Sequence, residues 1–361
     1  DVYKRQGSAA GAARFTIVAR PLAGGKDRRL LDQQQAPGSW RAHRLSLAGL
    51  AGELVALELS VEGDPGGAAW GEPRIVLPRA ERQRPATMRN AILWVGDALR
   101  SDRLGLYTKT RVRTPRLEAA ARRGGVVFLN NQAATPSSPP SHASIQTGMT
   151  PRVHGVTGDK AKLSPGVKML SAALADAGVR AAYFGNNPFG MDRLRKPGRW
   201  HAFHQPVREG QGSDCTKLVE LMLGYAKRQK RAGKRYFISA LAYEPHVPYR
   251  YHEGITERYF PGPFEPPFGK LATGQLLVKV ARGKLPMNKR RWAQLQGLYD
   301  GEVEYMDRCF GALLDGLKAL GQRRETAVIF TSDHGEGFWE HGKIGHAFGM
   351  YGELTNVPMV L

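Results

Sequence analysis

Two apolar runs in this chain end on acids. Ala91-Ile-Leu-Trp-Val-Gly-Asp97 and Ala327-Val-Ile-Phe-Thr-Ser-Asp333 each read as a buried strand closing on a carboxylate, and His334 follows the second at once. In open α/β sheets, ligands gather beyond the carboxyl ends of the strands. Brought to one edge, Asp97, Asp333 and His334 offer two carboxylates and an imidazole, a donor set for a divalent cation. One such Asp alone is more often a helix cap or a turn residue. Two together, with an adjoining His, form a pattern of ligands.

A hydroxyl comes from Thr135-Pro-Ser-Ser-Pro-Pro-Ser-His-Ala-Ser144. Ser138 is expected just before a short helix over 141–147, closed by Gly148, and a helix N-terminus favours an anion. A cation beside Ser138 would lower the pKa of the hydroxyl and aim it, as a nucleophile requires. Pro139 and Pro140 stiffen the turn. His246 lies between two prolines just past another apolar strand, where it could act on substrate or as an acid. Arg100 is a candidate for an ester oxyanion or, equally, for a salt bridge on its own turn. His341 and His346 share a Gly-rich loop, and His346 is favoured as the one facing the pocket. His142 is assigned to the substrate side of the nucleophile loop or to packing beneath it, and His154 to structure.

The elements that must position these groups alternate. Strands are expected at 91–96, 126–129, 180–184, 236–242 and 327–332, and helices at 115–122, 170–177, 218–230 and 289–320. The last helix carries Trp292, Leu295, Tyr299, Val303, Met306, Phe310, Leu313 and Leu317 at three- and four-residue spacing, a stripe for the core. Residues 250–285, rich in Pro, Gly and aromatics, read as an irregular insertion. This alternation implies an α/β domain over 90–361 with a mainly parallel sheet sandwiched between helices.

Ahead of it, residues 13–78 alternate polar and apolar positions between Pro/Gly clusters, as in a small all-β sandwich; its strand candidates are 14–19, 40–47 and 54–61. The pattern around Trp40, Leu45–Leu50 and Ala69–Pro73 resembles galactose-binding-like modules. Residues 79–89 read as an Arg-rich linker, and 1–12 as a disordered or non-native leader without a strand. The first residue is Asp, and the last five break off inside an apolar run, so a fragment is expected.

The chain has 361 residues, 42% of them hydrophobic, enough for a sizeable core, and no apolar run is long enough to span a bilayer. A net charge of +21 suits a polyanionic partner, but the basic residues are scattered and no nucleic-acid-binding motif accompanies them. Cys215 and Cys309 stand in no metal-type spacing, and Cys309 falls on the apolar face of the long helix.

Several runs together resemble the sulfatase family of the alkaline-phosphatase-like superfamily. They are Asp97–Tyr107, Pro140–Gly148, Pro151–Gly155, Glu244–Tyr249, Tyr299–Val303, Thr331–Glu336, Glu340-His-Gly and Val357-Pro358, in family order across 90–361. The resemblance implies an alkaline-phosphatase-like fold truncated at its C-terminus, a metal held by Asp97, Asp333 and His334, a nucleophile at Ser138, and an ester-binding role for His246. His346 falls near a position where relatives place a cationic substrate ligand. The implied activity is metal-dependent hydrolysis of sulfate esters. The substrate would be an anionic ester, namely a sulfated or phosphorylated glycan, a lipid headgroup or a small molecule, in a periplasmic, extracellular or membrane-associated setting.

Three departures bear on the chemistry. Sulfatases carry Cys or Ser followed by x-Pro-x-Arg and oxidise the first residue to formylglycine; here the run is Ser138-Pro-Pro-Ser-His142, with His142 in the place of Arg. A Lys/His pair that relatives carry after a strand is replaced by Gly185-Asn-Asn-Pro188, and Gly96 stands where many sulfatases have a second acid. A formylglycine hydrate releases sulfate by collapsing to the aldehyde, whereas a serine sulfate must be attacked again at sulfur. Phosphoserine is attacked at phosphorus routinely. An unmodified Ser138 therefore keeps phosphate mono- and diesters, and phosphoglycerol- or phosphoethanolamine-type transfer, as alternatives. A non-catalytic glycan- or surface-binding role is a further one. The His ligand fits Mn²⁺ or Zn²⁺ better than Ca²⁺, which sulfatases nevertheless use. The sequence is silent on oligomeric state.

Overall fold

The computed structural model describes residues 2–5, 12–22, 24–36, 41–63, 69–71, 88–158, 160–185, 194–195, 197–205 and 214–361. Trp40, residues 79–87 of the expected linker and Asn186–Pro188 lie outside the described residues. The chain divides into two compact units, Asp1–Pro85 and Ala86–Leu361.

The first unit holds two three-stranded antiparallel sheets. One comprises β1 (Val2–Arg5), β4 (Arg41–His43) and β6 (Ala69–Gly71), with β1 central; the other comprises β2 (Ala13–Pro21), β3 (Arg28–Gln35) and β5 (Val55–Glu62), with β2 central. Strands at 13–21 and 55–62 follow the alternation read from the sequence. The candidate at 40–47 shortens to β4, and three further strands, β1, β3 and β6, escaped that reading. β3 has the run Arg-Arg-Leu-Leu-Asp-Gln-Gln-Gln, with little apolar alternation, yet it pairs through its backbone at a sheet edge, where exposed polar side chains are tolerated. β1, expected to lie in a leader without a strand, pairs through its backbone with both β4 and β6. Phe15 of β2 is buried edge-on to Trp70 of β6, 5.1 Å between rings.

The second unit is built on six strands in the order β16-β13-β7-β10-β8-β9. These are β7 (Asn90–Gly96), β8 (Arg180–Gly185), β9 (Ala202–His204), β10 (Tyr236–Ala242), β13 (Thr326–Ser332) and β16 (Met359–Val360). All run parallel except β16 at one edge. Two antiparallel pairs lie outside this sheet: β11 (Tyr249–Arg250) with β12 (Leu271–Ala272), and β14 (Gly337–Phe338) with β15 (Ile344–Gly345). The helices are α1 (Pro115–Arg122), α2 (Ser138–Thr147), α3 (Pro151–His154), α4 (Leu170–Asp176), α5 (Cys215–Arg231), α6 (Gly274–Ala281), α7 (Lys289–Ala319) and α8 (Gly352–Thr355).

Why these elements form is local. β7 and β10 are buried over almost every residue, as a parallel strand covered on both faces must be. α5 starts three residues before its expected first residue, because the Asp214 side chain accepts from the N–H groups of Thr216 and Lys217. α6 falls within the stretch expected to be irregular; Thr273 caps it, and it buries Leu277 and Val280. The segment 126–129, expected as a strand, makes only a single bridge, Val127 with Val360, and leaves Val126 and Phe128 exposed. Two cores result. One packs α5, α7 and Trp94 on one face of the sheet; the other packs Leu93, Val95, Ala143, Tyr183 and Leu241 on the opposite face, beneath α2 and α4. Cys215 and Cys309, which stand in no metal-type spacing, form a disulfide joining α5 to α7 across 94 residues. No helix among the described residues is long and apolar enough to cross a membrane.

Candidate active site

Strand register delivers the chemistry. Ser332 of β13 pairs with Gly96 of β7, and Gly96 with Ala242 of β10. The residues that follow these three neighbours, Asp333-His334, Asp97 and the turn bearing His246, therefore leave the sheet at the same edge. Asp97, Asp333 and His334 are fully buried, and one ligand atom from each lies within 4.8 Å of the others. His334 Nε2 is 3.8 Å from Asp97 Oδ1 and 3.6 Å from Asp333 Oδ2.

The backbone around these ligands is held from all sides. Asp333 Oδ1 accepts from the N–H groups of Ala98 (3.2 Å) and His334 (2.9 Å). Ala98 takes a left-handed φ of 59°, and Tyr299 Oη fixes it there by donating to its carbonyl at 2.7 Å while accepting from Arg100 N. Ser332 Oγ accepts from Leu99 N and donates to the His334 carbonyl. His334 Nδ1 donates to the Gly335 carbonyl at 2.8 Å, which leaves the Nε2 lone pair for a cation or for a hydroxyl proton. Burial lowers the His334 pKa and favours that neutral form. Burial alone would raise the Asp333 pKa, but the neighbouring His334, His142 and N–H donors drag it far below the usual carboxylate range.

The group fits a divalent cation. Asp333 Oδ2 is buried and makes no well-formed hydrogen bond, its neighbours being His142 Nε2 at 3.3 Å and His334 Nε2 at 3.6 Å, and it stands among two carboxylates and an imidazole. A third acid at position 96 would have to displace Met306, whose Sδ would lie 2.8 Å from a Cβ there.

Ser138 Oγ lies 3.0 Å from His334 Nε2 and 3.5 Å from Asp97 Oδ1, and unlike the ligands it is partly accessible. Ser138 opens α2 as its first residue, three residues before the expected start, and Ser137 is the cap. That placement limits the helix terminus as an anion site. Pro139 and Pro140 carry no N–H, and Ser141 N already donates to Ser137 O. Ser141 Oγ instead donates to the Asp333 carbonyl at 2.6 Å and ties α2 to the β13 tip.

Two more imidazoles, both partly exposed, lie beside His334. The His346 ring centroid is 4.3 Å from that of His334 and 5.0 Å from that of His246. His346 Nδ1 pairs with Glu336 Oε1 at 3.0 Å. Burial would lower the pKa of His346, but the Glu336 carboxylate, with Asp97 and Asp333, raises it to about 9. His246 stacks on Tyr243 and donates Nδ1–H to Val247 O at 2.6 Å; burial and the charge of His346 push its pKa down to about 4. One imidazole is thus cationic and its neighbour neutral at ordinary pH.

For Arg100 and His142 the geometry favours the second of the two roles the sequence left open, not the substrate-binding one. The Arg100 guanidinium is buried and spends four of its five N–H donors on Asp102, Glu340 and the Glu336 carbonyl, so it braces the loop. His142 is buried beneath the site, with Nε2 3.3 Å from Asp333 Oδ2, so it supports a ligand and does not face an ester. His341 turns outward to Glu353 and Tyr351, and His154 serves Ser144 and the Val156 backbone. Sequence reasoning missed Glu336, which is wholly buried between Tyr249 Oη (2.8 Å) and His346. The signal was its place two residues after His334 on the same strand tip.

Comparisons with known proteins agree with this geometry. The sequence model of the Sulfatase family matches residues 89–361. An endo-4-O-sulfatase from Bacteroides thetaiotaomicron is 24% identical over 299 residues, covering 69% of this chain and 57% of its own length. The phosphonate monoester hydrolase of Agrobacterium radiobacter shares the fold at a TM-score of 0.59 and 20% identity, over 75% of this chain and 67% of that one. The C-terminal periplasmic domain of the phosphoethanolamine transferase EptC from Campylobacter jejuni does so at 0.54 and 17%, over 76% and 78%. The chain spans little more than half the length of the endo-4-O-sulfatase. With the family pattern matched along the whole α/β unit, the chain belongs to the sulfatase family.

Proposed function

We propose that this chain is part of a metal-dependent hydrolase of sulfate esters in which Ser138 is the nucleophile. The observation that carries the reading is the position of Ser138 Oγ, 3.0 Å from His334 Nε2 and 3.5 Å from Asp97 Oδ1, on the accessible side of three buried ligands. Asp97, Asp333 and His334 would hold the metal. When bound, the cation supplies positive charge to the ester oxygens and to the hydroxyl of Ser138. The rest falls to the chain. His346, cationic and paired through Nδ1 to Glu336, keeps Nε2–H for the ester and can pass that proton to the departing alcohol. Ser138 gives up its hydroxyl proton to solvent on the accessible side, and Oγ bonds to sulfur as the S–O bond to the alcohol breaks; water then bonds to sulfur, and the Oγ–S bond breaks as Oγ takes a proton back and sulfate leaves. His246, neutral, offers Nε2 as an acceptor beside that exchange.

Formylglycine at position 138 is the alternative state of the nucleophile, and the site argues against it. The family arginine that follows the nucleophile is His142 here, turned away beneath Asp333. An unmodified serine favours a second reading, hydrolysis or transfer at phosphorus, since phosphoserine is attacked readily. Solved structures that share the fold include a phosphonate monoester hydrolase and a phosphoethanolamine transferase domain. The imidazole ligand favours Mn²⁺ or Zn²⁺ over Ca²⁺. The Cys215–Cys309 disulfide supports an oxidising, periplasmic or extracellular setting.

The test is turnover of 4-nitrophenyl sulfate, 4-nitrophenyl phosphate and a phenylphosphonate monoester with Mn²⁺, Zn²⁺ or Ca²⁺ added to EDTA-stripped protein, alongside mass spectrometry of the Ser138 peptide. Metal-dependent sulfate release abolished in Ser138→Ala is the expected result. Turnover confined to phosphorus esters, with intact serine, moves the assignment to the second reading. Turnover of all three classes undiminished in Ser138→Ala, or no turnover and no metal bound, defeats both.

A further inference from the structure

Basic residues scattered along the sequence meet at the edge of the sheet opposite the catalytic one. Strand register aligns four starts: Thr326 of β13 pairs with Asn90 of β7, Ala91 of β7 with Phe237 of β10, and Tyr236 of β10 with Arg180 of β8. Arg324, Arg89, Arg235 and Arg180 stand at or just before those starts. α5 and α7 each end where the next of these strands begins, and α5 brings Arg228, Lys230 and Arg231 in its last turn. Side chains knit the ends together. Lys230 Nζ donates to Leu320 O just past α7, Arg89 Nη2 to Gly233 O at 3.4 Å, and Arg235 Nη2 to Ala177 O at 2.8 Å.

The charge at this edge is uncompensated. Elsewhere acids hold several of the arginines, as Asp102 holds Arg100, Asp300 holds Arg111 and Glu304 holds Arg258. Here Arg89, Arg180, Arg231, Lys234, Arg235 and Arg324 are all exposed, and none is paired with an acid among the described residues. Asp176 is taken by Lys168 and Arg199, and Glu325 is half-buried. The pull of a helix C-terminus on cations accounts for the last turn of α5 but not for the residues at the strand starts. The charges spread in two dimensions, about 14 Å across four strands at ~4.8 Å each and outward over the end of α5. A linear polyanion needs a track, whereas a lipid surface needs area. Met88, 57% exposed just before Arg89, adds an apolar side chain that lipid accepts and a polyanion does not. β7 has seven residues, so the catalytic edge stands about 20 Å away at ~3.3 Å per residue.

We propose that this edge docks the chain reversibly on a bilayer rich in anionic phospholipid, with the site held clear of the lipid at the opposite edge. Each basic side chain near such a surface contributes about fivefold in affinity, and salt screens it. The experiment is cosedimentation of the full chain with vesicles of phosphatidylcholine alone or with ~30% phosphatidylglycerol, at ~0.1 M salt. Binding is expected only to the charged vesicles and is lost at ~0.5 M salt. The triple substitution Arg231→Gln, Lys234→Gln, Arg324→Gln should weaken it roughly a hundredfold, three factors of about five. Arg231→Lys with Arg324→Lys keeps the charge and should bind like the parent. Lys279→Gln, Arg282→Gln, Lys284→Gln removes equal charge from exposed residues at and just after the end of α6, and should change binding by less than about twofold. The proposal is overturned by no binding to charged vesicles, by equal binding to neutral and charged ones, by an edge triple that binds like the parent, or by an equal loss in the α6 triple. A heparin dodecasaccharide bound through the same three residues when charged vesicles are not also overturns it, and hands the surface to a linear polyanion.

Discussion

Glu336→Gln is the substitution that most directly probes the site's electrostatics. Gln keeps the shape of Glu and can still accept from Tyr249 Oη, but it removes the charge 3.0 Å from His346 Nδ1. Burial, which already acts to lower the His346 pKa, is then opposed only by the more distant Asp97 and Asp333. The pKa falls from about 9 to near or below the ordinary histidine value of about 6.5. At pH 8 the protonated fraction of His346 drops from about 91% to about 3%, roughly thirtyfold. If His346 supplies the leaving-group proton, kcat/KM at pH 8 falls by that order and the alkaline limb of its pH profile moves to lower pH. A second readout needs no activity. The folded pKa is raised, so between pH ~6.5 and ~9 the native state binds a proton that the unfolded state does not. Stability from this pair is complete below about 6.5 and is lost as pH rises through about 9, at roughly 1.4 kcal/mol per pH unit. Urea denaturation of metal-free protein at a series of pH values should show that slope, and Glu336→Gln should flatten it. An unmoved alkaline limb together with an unchanged slope would refute the Glu336–His346 assignment.

Two further perturbations probe what surrounds the ligands. Gly96→Ala places a methyl 2.8 Å from Met306 Sδ in a packed core and should cost about 1–3 kcal/mol, read as a lower denaturation midpoint. Met306→Ala in the same chain should recover part of that loss, and a neutral Gly96→Ala would contradict the packing. Replacing Cys215 and Cys309 together by serine removes a link that closes 94 residues, and the chain-entropy relation puts the loss at about 4–5 kcal/mol. Equal stability of the variant and the parent in the absence of reductant would show that the disulfide does not form.

The ligands were legible because strand tips advertise themselves. An apolar run covered on both faces has no polar alternation, so a terminal Asp after its buried tip marks where the sheet ends and chemistry can begin. The same rule placed Asp97 and Asp333 but was silent on which strands would be neighbours. It is the order β13-β7-β10 that turns three separate tips into one site. The start of α2 was misread because Pro139 and Pro140 look like turn residues, although proline is equally at home in the first turn of a helix, where its missing N–H costs nothing.

What stayed hidden was charge already spoken for. For Arg100 the sequence left an ester oxyanion and a salt bridge on its own turn level; only the fold adds Glu340 and the Glu336 carbonyl to Asp102 as its partners. Glu336 reads as one more acid after a His, and only burial between a tyrosine and an imidazole turns it into the source of a cation at His346. The disulfide was hidden in the same way, since 94 residues of separation say nothing of two helices lying side by side. Residue type thus located the group of side chains that could hold a cation. The part that handles a proton depends on which partner each charge finds, and that is fixed by the packing of α7 and the β14–β15 hairpin around the sheet edge.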